Sequence, residues 1–106
     1  MPTMVGSISL DVVGAGPSYT DQLGAAGACY LVRHGSGAIA LDLGQGSFPR
    51  LAGLIEPSAI DAVLVSHLHP DHFVDLVSLR HYLRWQFTPS RRVWVLRGSA
   101  MAWPRA

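Results

Sequence analysis

Three of the five histidines and one aspartate lie within six positions, in the stretch SHLHPDH at 66–72. Imidazole and carboxylate groups are the ligands that zinc and related divalent ions take in proteins. His67 and His69 are two residues apart on a chain that is leaving a strand, so both rings point the same way and can reach one cation. Asp71 and His72 are adjacent and turn into the following segment, so they aim at a second point nearby. The pattern predicts a metal site for two neighbouring ions.

The other groups that could do chemistry lie outside this cluster. His34 is placed at a hairpin turn and His81 on the polar face of a helix, so neither is expected to bind metal. Cys29 is the single cysteine, in the apolar run GACYLV, which excludes an intrachain disulfide and favours a buried side chain over a reactive thiol. The segment GAGPSYT at 14–20 lacks the third glycine and the immediate helix of a dinucleotide-binding fingerprint.

Two elements must hold the cluster in place. In AIDAVLVS at 59–66, Asp61 and Ser66 bound a continuous apolar run, which is typical of a strand buried on both faces and which ends directly before the histidines. Leu76, Leu79 and Leu83 then recur at helical spacing, which predicts an amphipathic helix from Phe73 onward. The remaining predicted elements are a strand at 7–13, a hairpin at 28–43, a short helix or turn at 48–54 and a strand at 91–96.

Length and composition limit the classes of protein. The 106 residues suffice for one domain, and 49% hydrophobic with 14% charged residues indicates a globular chain. The net charge of +1 gives no overall reason to expect nucleic acid, although six arginines follow residue 75 without any acidic residue, so nucleic acid is a weakly supported partner. No apolar run approaches the ~20 residues that span a bilayer, so no membrane partner and a cytoplasmic location are expected.

SHLHPDH, with an apolar strand before it and LDLG some two dozen residues earlier, resembles the H-x-H-x-D-H signature of the metallo-β-lactamase superfamily. The resemblance implies that His67 and His69 hold one metal ion and that Asp71 and His72 hold another. The ions would be up to two Zn²⁺, with Mn²⁺ or Fe²⁺ as alternatives. It also implies that Asp42 supports the ligands from behind, and that Asp71 acts in catalysis by orienting the attacking water or accepting its proton.

The resemblance implies an α/β fold, namely the N-terminal half of an αββα sandwich, with a mixed sheet and flanking helices. Residues 1–106 would form one incomplete domain ending in an irregular tail at 97–106. In this family further ligands come from later in the sequence, whereas here no histidine follows His81 and no acidic residue follows Asp75. A second chain or a homo-oligomer is therefore expected to complete the sandwich.

The implied function is a metal-dependent hydrolase in which a metal-bound hydroxide attacks a phosphodiester or ester-type bond, incomplete as this chain. The opening LDVVGAGPS favours the ribonuclease Z and phosphodiesterase branch, whereas Pro70 stands where ribonuclease Z usually has glycine. Small-molecule substrates such as glutathione thioesters, lactones and β-lactams therefore stay open beside phosphodiesters. The alternative is a non-catalytic half-domain that binds a metal or a partner, so the sequence leaves open whether the chain is an enzyme.

Overall fold

The computed structural model describes residues 6–17, 19, 21–86 and 94–97. Its element order confirms the predicted α/β class. The strands are β1 (Ser9–Gly14), β2 (Cys29–His34), β3 (Gly37–Leu41), β4 (Ala62–Val65) and β5 (Trp94–Arg97), the helices are α1 (Ser47–Ala52) and α2 (Leu76–Gln86), and two 3-10 turns span Pro57–Ala59 and Pro70–His72.

The five strands form one mixed sheet in the order β1-β2-β3-β4-β5. The pairs β1–β2 and β2–β3 are antiparallel, whereas β3–β4 and β4–β5 are parallel. Parallel neighbours need a crossover connection, and α1 lies in the connection from β3 to β4 and α2 in that from β4 to β5. The carboxyl ends of β3 and β4 consequently meet at one edge of the sheet, where open α/β sheets bind their ligands.

One face of the sheet forms the core with both helices. Leu31, Ala40 and Val63 are cross-strand partners on β2, β3 and β4, and all three are fully buried. Leu51 of α1 and Leu79 of α2 pack into the same cluster. The predicted leucine stripe of α2 is confirmed, because its other two members also pack against this cluster.

The prediction that β4 is buried on both faces is wrong for the described chain. Val63 and Val65 are buried against the helices, whereas Ala62 and Leu64 on the opposite face are only partly buried. The run is continuously apolar because both faces carry apolar residues, although only one of them is covered.

The other differences from the predicted elements concern their ends. Strand β1 spans residues 9–14 rather than 7–13. Helix α2 begins at Leu76 rather than Phe73, because Pro70–His72 form a 3-10 turn and Phe73 leaves helical geometry at φ −145°. Arg97 is the last residue of β5 rather than the start of a tail, and residues 91–93 and 98–106 lie outside the described part. Among the described residues, no helix is long and apolar enough to cross a membrane.

Candidate metal site

The cluster lies where β3 and β4 end side by side. Asp42 follows β3, Ser66 and His67 follow β4, and the 3-10 turn Pro70–His72 brings the chain back toward β3. Two backbone hydrogen bonds fix this return: the Leu43 N–H donates to the His72 carbonyl (2.8 Å), and the N–H of Asp75 donates to the Leu43 carbonyl (3.0 Å). The parallel sheet therefore brings into contact side chains that are about thirty positions apart.

A glycine lets the two segments approach so closely. A Cβ on Gly44 would lie 2.4 Å from the Asp71 carbonyl oxygen and 2.8 Å from the Ala28 amide nitrogen. Both distances are shorter than van der Waals contact, and both contacts are with backbone that cannot swing away. Residue 44 must therefore be glycine for Asp71 to lie where it does.

The carboxylate of Asp42 holds the centre of the site. Asp42 is buried, and its φ of 62° places it in the left-handed region, which costs a residue with a side chain on the order of 1 kcal/mol. Its Oδ1 accepts the Ser66 backbone N–H (2.6 Å), and its Oδ2 contacts the Ser66 hydroxyl (2.8 Å) and the His72 Nδ1 (2.7 Å). These contacts offset the strain and hold the carboxylate in one orientation.

This network sets which nitrogen of each imidazole carries its proton. A carboxylate only accepts hydrogen bonds, so His72 must donate through Nδ1–H and Ser66 must donate its hydroxyl proton to Asp42. The Ser66 oxygen then accepts from Nδ1–H of His67, which lies 3.0 Å away. In the neutral form of each ring, these bonds leave Nε2 unprotonated, which is the form that binds a metal ion.

The three imidazole rings of the motif lie close together. The ring centroid of His67 lies 4.6 Å from that of His69 and 4.0 Å from that of His72. The Asp71 Oδ2 lies 3.4 Å from the His72 Nε2. That separation is close to the roughly 3.3 Å between two ligand atoms of a tetrahedral zinc ion.

These contacts show whether the donor atoms of the motif suit a divalent metal ion. Ligand type, the position of the imidazole protons and the spacing of Asp71 and His72 all fit such an ion. However, no three histidine, cysteine or carboxylate side chains in the described ranges are arranged to hold one. A protein zinc site normally supplies three or four ligands. The motif therefore fits a metal, but as part of a larger ligand set.

A family model supports this assignment from the sequence side. The model of the metallo-beta-lactamase superfamily matches residues 24–85. The chain belongs to this superfamily. A comparison with curated proteins finds no match.

Several solved structures share the fold. The metallo-beta-lactamase fold protein YhfI from Bacillus subtilis is 27% identical with a TM-score of 0.66, over 70% of this chain and 30% of its own. The short form of human tRNase Z is 21% identical with a TM-score of 0.70, over 81% of this chain and 33% of its own. A diphosphatase of the PhnP family is 21% identical with a TM-score of 0.66, over 83% of this chain and 40% of its own. The chain thus spans about a third of the length of these structures.

Among the described residues, Ser66 contributes to the hydrogen bonding of this site and was missed by the sequence analysis. Its backbone N–H and its hydroxyl both bond Asp42, and its oxygen also contacts His67. The available signal was a small hydroxyl residue at the end of an apolar strand, directly before the first histidine of the motif. Such a residue can relay one carboxylate's hydrogen bonding to a second imidazole.

The two histidines that were not expected to bind metal, His34 and His81, lie away from the site. The single cysteine, Cys29, is chemically inert. His34 ends β2 at the opposite end of the sheet from Asp42, and His81 is exposed on α2. Cys29 is fully buried, and burial raises the pKa of its thiol to about 12, although Ser47 bonds it. Thiols bind metals and attack electrophiles as thiolates, so Cys29 has neither role at neutral pH.

Proposed function

We propose that this chain carries the histidine-motif half of the active site of a metal-dependent hydrolase that cleaves phosphodiester or ester-type bonds. The single observation that carries the proposal is the network from Asp42 through Ser66, which leaves Nε2 of His67 and of His72 free beside the Asp71 carboxylate. The superfamily to which the chain belongs generally binds divalent metals. The network is the kind of support that orients metal-binding histidines in proteins.

Each residue of the motif has a role in this proposal. His67, His69, Asp71 and His72 would hold the ions, up to two Zn²⁺, with Mn²⁺ or Fe²⁺ as alternatives. A bound divalent ion supplies Lewis acidity and lowers the pKa of water. Asp71 would also orient the attacking water or accept its proton, because its carboxylate lies on the Nε2 side of His72, 3.4 Å away, where an ion would bind. Asp42 would not bind the ions itself; its carboxylate holds the His72 ring in place through Nδ1.

Phosphodiesters are the favoured substrate class. Two of the matched structures are a tRNase Z and a diphosphatase, and both names denote enzymes that act on phosphorus–oxygen bonds. Smaller esters and thioesters are the other substrates within the proposal. The further ligands that a complete site needs would come from a second chain or another polypeptide segment that completes the domain. A cytoplasmic location belongs to the same proposal, since the single cysteine is a buried free thiol.

Zinc titration of matched variants tests the metal site. The purified chain is titrated with zinc against a chromophoric chelator, and native mass spectrometry counts the ions per chain. His67→Ala and His72→Ala should each weaken zinc binding at least tenfold. His81→Ala is the control, because His81 is exposed on α2 and away from the cluster. The proposal is refuted if all three variants bind zinc as tightly as the original chain does.

A non-catalytic half-domain that binds a metal or a partner is the second candidate. It is favoured by the fact that the described residues contain no group of three donors arranged for one ion. Assays with bis(p-nitrophenyl) phosphate and with a thioester separate the two candidates. With the domain completed by the segment or chain that supplies the further ligands, zinc-dependent turnover that Asp71→Asn abolishes supports the hydrolase, whereas zinc binding with no turnover of either compound supports the half-domain.

A further inference from the structure

One carboxylate oxygen of Asp42 is linked to two histidines that hold different ions in the proposed function. The Asp42 Oδ2 contacts Nδ1 of His72 directly, at 2.7 Å. The same oxygen contacts the Ser66 hydroxyl at 2.8 Å, and this hydroxyl lies 3.0 Å from Nδ1 of His67. Hydrogen bonds of this kind orient metal-binding imidazoles and fix their tautomers. A single oxygen therefore supports one ligand of each ion.

The direction of these hydrogen bonds is fixed at the Asp42 end. Oδ1 of Asp42 accepts the Ser66 backbone N–H at 2.6 Å, which sets the orientation of the carboxylate. An ionised carboxylate cannot donate, so the single proton of the Ser66 hydroxyl points to Oδ2. The hydroxyl can then only accept from His67. The tautomer of His67 therefore depends on Asp42, although Ser66 stands between them.

We propose that Ser66 is a positioning residue that couples the two ion positions through Asp42. The tautomers of His67 and His72 are then set together. An acceptor at the place of Oδ2 leaves Nε2 of both rings free for an ion, whereas a donor at that place puts a proton on both Nε2 atoms. The assignment of the two histidines to different ions rests on the proposed function, but the coupling of their tautomers is a property of the metal-free chain.

The substitution Asp42→Asn reverses the whole series of bonds, because the amide brings a donor with two protons to the place of Oδ2. One proton of the NH₂ group goes to Nδ1 of His72 and the other to the Ser66 oxygen. The Ser66 hydroxyl must then donate to Nδ1 of His67, which leaves the proton of that ring on Nε2. A change at residue 42 thus reaches an imidazole that it contacts only through Ser66.

Imidazole ¹⁵N NMR of the metal-free chain at a pH of about 8.5, where histidine is neutral, measures the tautomers. Asp42→Asn should move the proton from Nδ1 to Nε2 in both His67 and His72. Ser66→Ala should release the tautomer of His67 alone, because the bond from Asp42 to His72 does not pass through Ser66. Ser66→Thr keeps a hydroxyl and should preserve both tautomers. Ser78→Ala is the matched control, since Ser78 is exposed on α2.

The double variant Asp42→Asn with Ser66→Ala separates coupling from a merely structural role. His67 should show the tautomer ratio of Ser66→Ala alone, whereas His72 should follow Asp42→Asn. Circular dichroism checks that each variant folds, and if Asp42→Asn does not, the pair Ser66→Ala and Ser66→Thr decides alone.

Two results overturn the coupling. In one, Asp42→Asn changes His72 but leaves the proton of His67 on Nδ1; in the other, Ser66→Ala leaves the tautomer of His67 unchanged. A failure of the proposed function is seen separately, in the zinc titration of His67→Ala and His72→Ala, because the NMR measurement is made without metal.

Discussion

Replacing Asp42 by asparagine should change the tautomer of His72 and thereby weaken metal binding. Asparagine tolerates the left-handed backbone at this position, so the substitution adds little strain. The Ser66 backbone N–H needs an acceptor 2.6 Å away, which orients the new amide with its oxygen at the place of Oδ1. The NH₂ group then lies at the place of Oδ2 and donates to Nδ1 of His72, 2.7 Å away.

The size of the effect follows from these contacts. His72 must accept at Nδ1 and carry its proton on Nε2, so the lone pair beside Asp71 is no longer available to a metal. Loss of such a supporting partner typically lowers metal affinity 10- to 100-fold, which is about 1.4–2.7 kcal/mol. Stability should fall by about 1–3 kcal/mol, because hydrogen bonds to a buried carboxylate are replaced by weaker ones.

Two measurements check this prediction. Zinc titration against a chromophoric chelator gives the affinity, and ¹⁵N NMR of the imidazole rings reports which nitrogen of His72 is protonated. Asp61→Asn is the matched control: Asp61 accepts one backbone N–H, that of Ala38, at 2.9 Å and precedes β4 at the far end of the sheet. The reasoning is refuted if Asp42→Asn binds zinc within twofold of the original chain, or if His72 keeps its proton on Nδ1.

Three further substitutions follow from the structure. Gly44→Ala should destabilise the chain by roughly 1–3 kcal/mol and weaken zinc binding, because its methyl group would meet the Asp71 carbonyl at 2.4 Å; urea unfolding and zinc titration measure both effects. Asp75→Ala should cost about 1–2 kcal/mol in urea unfolding, since the Phe48 N–H at the start of α1 loses its acceptor at 2.8 Å, while zinc affinity should fall less than in Asp42→Asn. The free energy of unfolding should fall as pH rises from 9 toward 12, by about 1.4 kcal/mol per pH unit at most, because the Cys29 thiol ionises near 9 when unfolded but only near 12 when folded. Cys29→Ala should lack this component, and equal pH profiles for the two proteins would contradict the burial argument.

The sequence predicted the elements well where a single local rule decides them. The hairpin of β2 and β3 follows from two alternating runs around a glycine-rich turn, and α2 follows from the spacing of Leu76, Leu79 and Leu83. The late start of α2 was missed, because the 3-10 turn depends on backbone bonds between the motif and Leu43, which no local pattern contains.

For the site, the candidate ligands could be identified from the sequence, but their arrangement could not. Spacing along the chain predicts which residues share an ion, whereas the closeness of the three rings depends on how the fold returns the chain toward β3. The role of Ser66 was missed because its local signal is weak and its contact with Asp42, which follows the neighbouring strand, depends on the fold. The partial burial of one face of β4 was also not predicted, since an apolar run does not reveal whether a second layer covers it.

The contact between Asp42 and Ser66 also ties metal binding to the folding of the chain between them. The bond joins residues 24 positions apart and encloses α1 and the whole crossover from β3 to β4. Closing a loop of that length has an entropic cost, which the packing of α1 on the sheet must offset before the imidazoles are held in place. Occupancy by a metal should therefore report the fraction of molecules in which this crossover is folded, and metal concentration should in turn shift that fraction.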